Sequence, residues 1–188
     1  MPQASQIPAR YSYRDYLQLP DCSCEIINGE LFAMTPAPTV RHQLVLRNVL
    51  LLLVERLKGS GCEVISAPCD VLLPGDIKDI GDTSTIVQPD IFVVCDNFKL
   101  KEKYCLGAPD LIVEIVSPSR PSMDYVKKLH IYEKYGVREY WIVNYQQQEV
   151  MVYKLCGNEY GAPKTHVDGH IEPGIFGDLG LALKDIFA

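Results

Sequence analysis

Apolar positions along the chain fall into short, strand-length runs separated by one long helical stretch. Residues 24–34, CEIINGELFAM, carry apolar side chains on both sides of Asn28-Gly29. Asn-Gly tolerates the positive φ angles of a type I′ turn, so two antiparallel strands are predicted there. From Val40 onward apolar residues recur at Leu44, Val45, Val49, Leu52, Leu53 and Leu57. That period predicts a helix capped by Thr39 and stopped at Gly59. Its segment 50–54 is apolar nearly all round, which predicts a sheet on one side and a second subunit on the other.

Further strands are predicted at about 63–66, 69–73, 89–94 and 109–117, with a polar, acidic loop over 74–88. A second helix is predicted over 123–135, between Ser122 as cap and Gly136 as stop. REYWIVN and EVMVYKL follow as a strand hairpin, and the C-terminal segment reads as short strands and turns. A short helical stretch over 11–19 precedes all of this. Strand blocks interrupted by two helices predict an α/β fold with a mixed sheet and an N-terminal β-hairpin.

With 188 residues, 47% of them hydrophobic, the chain is expected to form one domain. It has no apolar run of membrane-spanning length and no signal-peptide core in MPQASQIPAR, so a cytoplasmic protein with no membrane partner is expected. The seven cysteines include no CxxC pair, which fits reduced thiols. Cys95 is expected in the core, and the Cys22-Cys24 spacing is too tight for a usual zinc knuckle. A net charge of −6 argues against a broad basic surface, while leaving room for a local groove.

The candidate chemistry centres on APDLIVEIVSPSR, residues 108–120, which places Glu114 inside an apolar strand. An unpaired buried carboxylate costs several kcal/mol, so Glu114 calls for a metal ion, a cation or a proton. Arg120, Arg138 and Lys128 are the cationic candidates. Two Pro-Asp pairs precede it. Asp110 is four residues away on the same strand, about 13 Å, too far to share one ion easily, whereas Asp90 belongs to a neighbouring strand at roughly 5 Å spacing. Asp90 and Glu114 are therefore the expected metal pair. Hard oxygen ligands suit Mg2+ or Mn2+, with the Ile115 carbonyl and waters completing the shell. A lysine beside such an ion can orient or deprotonate a nucleophile, or stabilise developing negative charge.

NGELFAM, His42, QPDIFVV, GAPDLIVEIVSPS, Asp124, Lys128, Tyr132 and YGVREYWIVN resemble the Uma-two family of restriction-endonuclease-like proteins, also described as a domain of unknown function. Through it they resemble the PD-(D/E)XK nuclease superfamily. The likeness runs from about residue 13 to 187. It implies a restriction-endonuclease-like core, a mixed sheet flanked by helices, and a Mg2+- or Mn2+-dependent endonuclease that hydrolyses nucleic acid, DNA foremost, as a homodimer.

One departure stands out. The superfamily expects Glu-x-Lys on one strand, but Glu114 is followed by Ile115 and Val116. Lys128, on the following helix, matches the place to which the lysine has moved, and Asp124 one turn earlier is expected to pair with it. Lys127 points about 100° away. The superfamily also carries an acidic residue on its first core helix; this chain offers His42 at the comparable place, with Glu30 on the hairpin as a second candidate. The competing readings are a nucleic-acid-binding or scaffold protein on a nuclease fold, and a hydrolase of another phosphate ester. A Ser117-Lys128 hydrolase lacks the Gly-x-Ser-x-Gly elbow.

Overall fold

The computed structural model describes residues 10–19, 24–34, 37–116, 122–171, 174–177 and 179–188. After α1 (Tyr13–Tyr16), β1 (Cys24–Ile27) and β2 (Glu30–Ala33) form the predicted hairpin. Asn28 and Gly29 take φ of +50° and +83°, as that turn requires. Next comes α2 (Val40–Arg56), where the Thr39 hydroxyl accepts from the His42 backbone N–H. The central strands are β3 (Glu63–Ser66), β4 (Asp70–Leu72), β5 (Ile86–Val87), β6 (Ile91–Val94), β7 (Tyr104–Leu106) and β8 (Leu111–Ile115). A π-helical turn over Met123–Lys128 continues as α3 (Leu129–Tyr135), which Gly136 ends at φ +80°. The chain closes with β9 (Glu139–Asn144), β10 (Glu149–Cys156), β11 (Glu159–Tyr160), β12 (Lys164–His166), β13 (His170–Ile171), β14 (Leu181–Ala182) and α4 (Leu183–Ile186).

Two main sheets result. The larger runs β11-β10-β9-β8-β6-β3, with β12 added on β10; the smaller runs β2-β1-β5-β4-β7. The larger is mixed, since β8 pairs parallel with β9 and antiparallel with β6. Strand alternation assigns its two faces. Ile91, Val93, Leu111, Val113 and Ile115 pack with Val45, Val49, Leu53 and Leu57 of α2. Phe92, Val94, Ile112 and Val116 pack on the opposite face with Val71 and Val87 of the smaller sheet and Ile131 and Tyr132 of α3. Glu114 shares the parity of this second face.

The structure departs from the sequence-based expectation in several places. The 74–88 segment holds a 3-10 turn and β5, a two-residue strand that β1 and β4 recruit into the smaller sheet. So short a strand exists only through its neighbours. β7 was likewise unpredicted and pairs parallel with β4. On α2, by contrast, Leu53 packs against the sheet as expected, and Leu51 and Val54 on the other side are exposed. Cys95 is not a core thiol: it is exposed and forms a disulfide with Cys62. The pairing of Glu63 with Val94 explains this, because the next residues outward in that ladder are Cys62 and Cys95. Cys24 is also disulfide-bonded, and the free thiols among the described residues are those of Cys69, Cys105 and Cys156. Cys22 lies outside the described residues. Among them, no helix is long and apolar enough to cross a membrane.

Candidate active site

The antiparallel register of β6 and β8 pairs Ile91 with Val113, which sets Asp90 across from Glu114. Backbone groups lock the two strands together at this point. The Ile115 N–H donates to Asp90 Oδ2 at 2.8 Å, and the Asp90 N–H makes a longer 3.4 Å contact to Glu114 Oε2. The other oxygen of Glu114 is claimed by side chains: Lys128 Nζ donates to Oε1 at 2.9 Å and Tyr132 Oη at 2.6 Å. Glu114 is thus a buried carboxylate, 3% exposed, with one edge held and the other turned toward Asp90.

Asp90, Glu114, Ile115 and Lys128 line a cavity of about 110 Å³, together with Glu25, Phe32, His42, Gln88, Met123 and Asp124. His42 reaches it from the first turn of α2, its Nε2 3.4 Å from Asp90 Oδ2. Its other ring nitrogen is buried, with no hydrogen-bond partner among the described residues. Glu30 is not brought in: it is exposed, with Lys127 Nζ 3.8 Å away. Lys127 stands over the Phe32 ring, 3.9 Å from its centroid, outside the Glu114 contact. Asp110 takes Arg138 at 3.0 Å and the Cys95 N–H at 2.9 Å, so Arg138 is not the Glu114 cation. Arg120 and Ser117 lie outside the described residues.

Glu25 is the residue that sequence reading missed. It lies on β1, buried, and its Oε1 is 3.2 Å from Lys128 Nζ. Among the described residues the anionic neighbours within 4 Å of Lys128 are therefore Glu114 and Glu25; the expected pairing with Asp124 is not among them. The signal was present, because CEII encloses a carboxylate in apolar residues just as LIVEIV does. Tyr132 was noted only as a matching position, and its role as donor to Glu114 follows from α3 packing against β8 and β9. Its ring meets Tyr140 edge-on at 4.9 Å.

Burial and charge oppose each other across this cluster. Burial pushes the Glu114 carboxyl up to about 8 against the pull of the Lys128 ammonium, and Asp90, Asp124 and Glu25 push the same way. Lys128 goes the other way: burial disfavours its charge, but the Glu114, Glu25 and Asp124 carboxylates outweigh it and hold the ammonium well above its usual range. His42 is also raised: burial works against its charge, and the hydrogen-bonding contact with Asp90 overcomes it. Among the described residues the carboxyl groups of Glu25, Asp90, Glu114 and Asp124 line the cleft with Lys128 and His42.

Whether a hard cation fits this cleft depends on which oxygen donors remain open. The hydrogen bonds on Asp90 fall on Oδ2, and Glu114 Oε2 has only the long Asp90 contact, so each carboxylate keeps lone pairs facing the cavity. Among the described residues no three His, Cys, Asp or Glu side chains form a ready-made cage. Two carboxylates, a carbonyl and several waters nonetheless match how magnesium-type ions are bound in proteins. The donor set therefore fits such an ion.

A solved structure of similar fold is a "putative nuclease belonging to DUF820" from Anabaena variabilis. The TM-score is 0.72 at 21% identity, with 94% of this chain and 97% of that chain covered. The α/β architecture, mixed sheets flanked by helices, matches that nuclease fold. The uncharacterized protein slr1290 of Synechocystis sp. is 26% identical over 131 residues, 69% of this chain, and the chain spans 64% of that relative's length. Residues 13–184, nearly the whole chain, match the Uma2 family, described as "putative restriction endonuclease", and the chain belongs to that family.

Proposed function

We propose that the chain is a Mg2+- or Mn2+-dependent endonuclease that hydrolyses phosphodiester bonds of nucleic acid, DNA foremost. The observation that carries this reading is the convergence of Asp90, Glu114 and Lys128 from separate elements into one buried cleft. Asp90, Glu114 and the Ile115 carbonyl would hold the ion, which when bound supplies an activated water and charge neutralisation on the phosphate.

The side chains have distinct tasks. Lys128 stays protonated, so it acts as a donor to a phosphate oxygen as negative charge develops there, rather than as a base. Tyr132, held well above its usual pKa by burial, likewise donates only, and fixes Glu114 Oε1 so that Oε2 faces the cavity. His42 pins Asp90 from the α2 side. The exposed Leu51 and Val54 of α2 are compatible with a homodimer, the arrangement by which both strands of a duplex are cut.

The test is cleavage of supercoiled plasmid and of single-stranded DNA with Mg2+ or Mn2+, comparing wild type with Asp90→Ala, Glu114→Ala and Lys128→Ala. Metal-dependent cutting that disappears in all three variants supports the reading. Failure of well-folded wild type to cut either substrate rejects it in favour of a binding role or another phosphate ester.

A further inference from the structure

Lys128 has two carboxylate anchors on strands of different sheets: Glu114 Oε1 at 2.9 Å on β8 and Glu25 Oε1 at 3.2 Å on β1. The second anchor is itself held rigidly. The Gln88 backbone N–H donates to Glu25 Oε1 at 2.8 Å. The Gln88 side-chain amide is fixed in turn by Asp70 Oδ1 at 2.7 Å and the Tyr16 hydroxyl at 3.2 Å. Glu25 is buried at the edge of the cavity that it helps to line. A buried carboxylate is stabilised by a paired cation, and among the described residues Lys128 is the one within ion-pair distance.

Resting on the function proposed above, this geometry bears on what happens to Lys128 when Glu114 gives up its proton and binds a divalent ion. The ammonium then loses much of its nearest attraction and gains a like charge beside it. Held by Glu114 alone, it would swing away on its flexible four-carbon stem. We propose that Glu25 is a positioning residue that retains the Lys128 ammonium in the cleft while Glu114 serves the metal. The lysine thereby stays directed at the substrate phosphate. Glu25 touches neither substrate nor metal in this scheme; it acts through Lys128. A purely structural Glu25 would instead serve only to fasten the hairpin sheet to the core.

NMR of the lysine side-chain ammonium in the full chain separates these roles, because a held, buried ammonium exchanges its protons slowly enough to be seen. The Lys128 signal is assigned by its disappearance in Lys128→Arg. It is expected to persist in wild type with and without Mg2+, to persist in Mg2+-free Glu25→Gln, and to vanish when Mg2+ is added to that variant. Glu25→Asp, which keeps the charge, is expected to restore it. Persistence in Mg2+-loaded Glu25→Gln overturns the proposal, as does loss of the signal in Mg2+-free Glu25→Gln.

An arm without metal keeps this outcome distinct from failure of the nuclease reading. Glu114→Gln weakens the first anchor directly, so the signal is expected to survive in Glu114→Gln and to be lost in the Glu25→Gln, Glu114→Gln double variant. Survival in the double variant rejects the second-anchor role whether or not the protein cuts DNA. In cleavage assays Glu25→Gln is expected to lower kcat about 100-fold, with KM and Mg2+ affinity within about twofold of wild type. A raised KM with unchanged kcat contradicts a positioning role.

Discussion

Tyr132 Oη donates to Glu114 Oε1 at 2.6 Å, on the sheet face that also packs Phe92, Ile112 and Ile142. The bond joins α3 to β8 and orients the carboxylate that faces Asp90. Tyr132→Phe leaves the shape of the ring in place and removes one donor from a buried carboxylate. Stability is expected to fall by about 1–3 kcal/mol. Urea denaturation of the two proteins measures this; an unchanged midpoint would show that the hydroxyl does not support Glu114.

Lys128→Met removes the cation from between two buried carboxylates. Breaking a buried pair by deleting one partner leaves uncompensated charge and costs about 3–5 kcal/mol. The loss is expected to be greater at about pH 9, above the folded-state value of about 8, than at about pH 5, where Glu114 carries a proton and no longer needs its partner. Equal losses at the two pH values would contradict the burial of charge described here.

The pH dependence of Glu114 has a definite sign. Its folded-state carboxyl is raised from 4.5 to about 8, so between those values the native protein holds a proton that the unfolded chain has released. The stability this group contributes is present below the unfolded value and is lost as pH rises through the folded one. Glu114→Gln is neutral throughout. It is therefore expected to gain on wild type as pH rises across that window, by on the order of a few kcal/mol. His42, also raised and unchanged in the variant, cancels to first order in the comparison. A variant-minus-wild-type difference that is flat with pH refutes the shift.

The two Pro-Asp pairs should behave differently. Asp110 caps the far end of β8 and pairs with the exposed Arg138, away from the cavity. Asp110→Asn is expected to leave Mn2+ affinity unchanged by calorimetry and to alter stability by about 1 kcal/mol. Asp90→Asn is expected to abolish Mn2+ binding. Equal affinity losses in both variants would dissociate the ion site from Asp90.

Outside the cleft, Glu139 is fully buried on β9. Its Oε1 accepts from the Trp141 indole N–H at 2.6 Å, and its Oε2 accepts from the Gly174 and Ile175 backbone N–H groups at 2.9 and 3.1 Å. Every one of these partners is a donor. Glu139→Gln turns an amide donor toward one of them and is expected to cost about 1–3 kcal/mol, seen as a lowered thermal midpoint. A neutral result would mean that the C-terminal wrap repacks around the change.

What the sequence alone determined is what short-range physics controls. Asn28-Gly29 dictates its own turn, Thr39 its own helix cap, and Gly136 its own helix stop, because each depends on the conformational range or hydrogen bonding of a few adjacent residues. Glu114 was legible for a related reason: a carboxylate in an unbroken apolar strand is costly wherever the strand ends up. Its opposition to Asp90 followed from two strands long enough to pair, and chain spacing excluded Asp110 without knowledge of the fold.

Tertiary structure decided everything that depends on register between distant segments. Ile86 and Val87 become a strand only because β1 and β4 flank them, and Cys62 meets Cys95 only because Glu63 pairs with Val94. Glu25 carried the same local signature as Glu114, yet nothing local says that β1 would be carried to the side of the cleft where Lys128 arrives. Lys128, in turn, has no feature in its own helix that distinguishes a buried ammonium from a solvated one. Long-range hydrogen-bond ladders and packing set those meetings, and their free energy is spread over many residues rather than written in any one stretch.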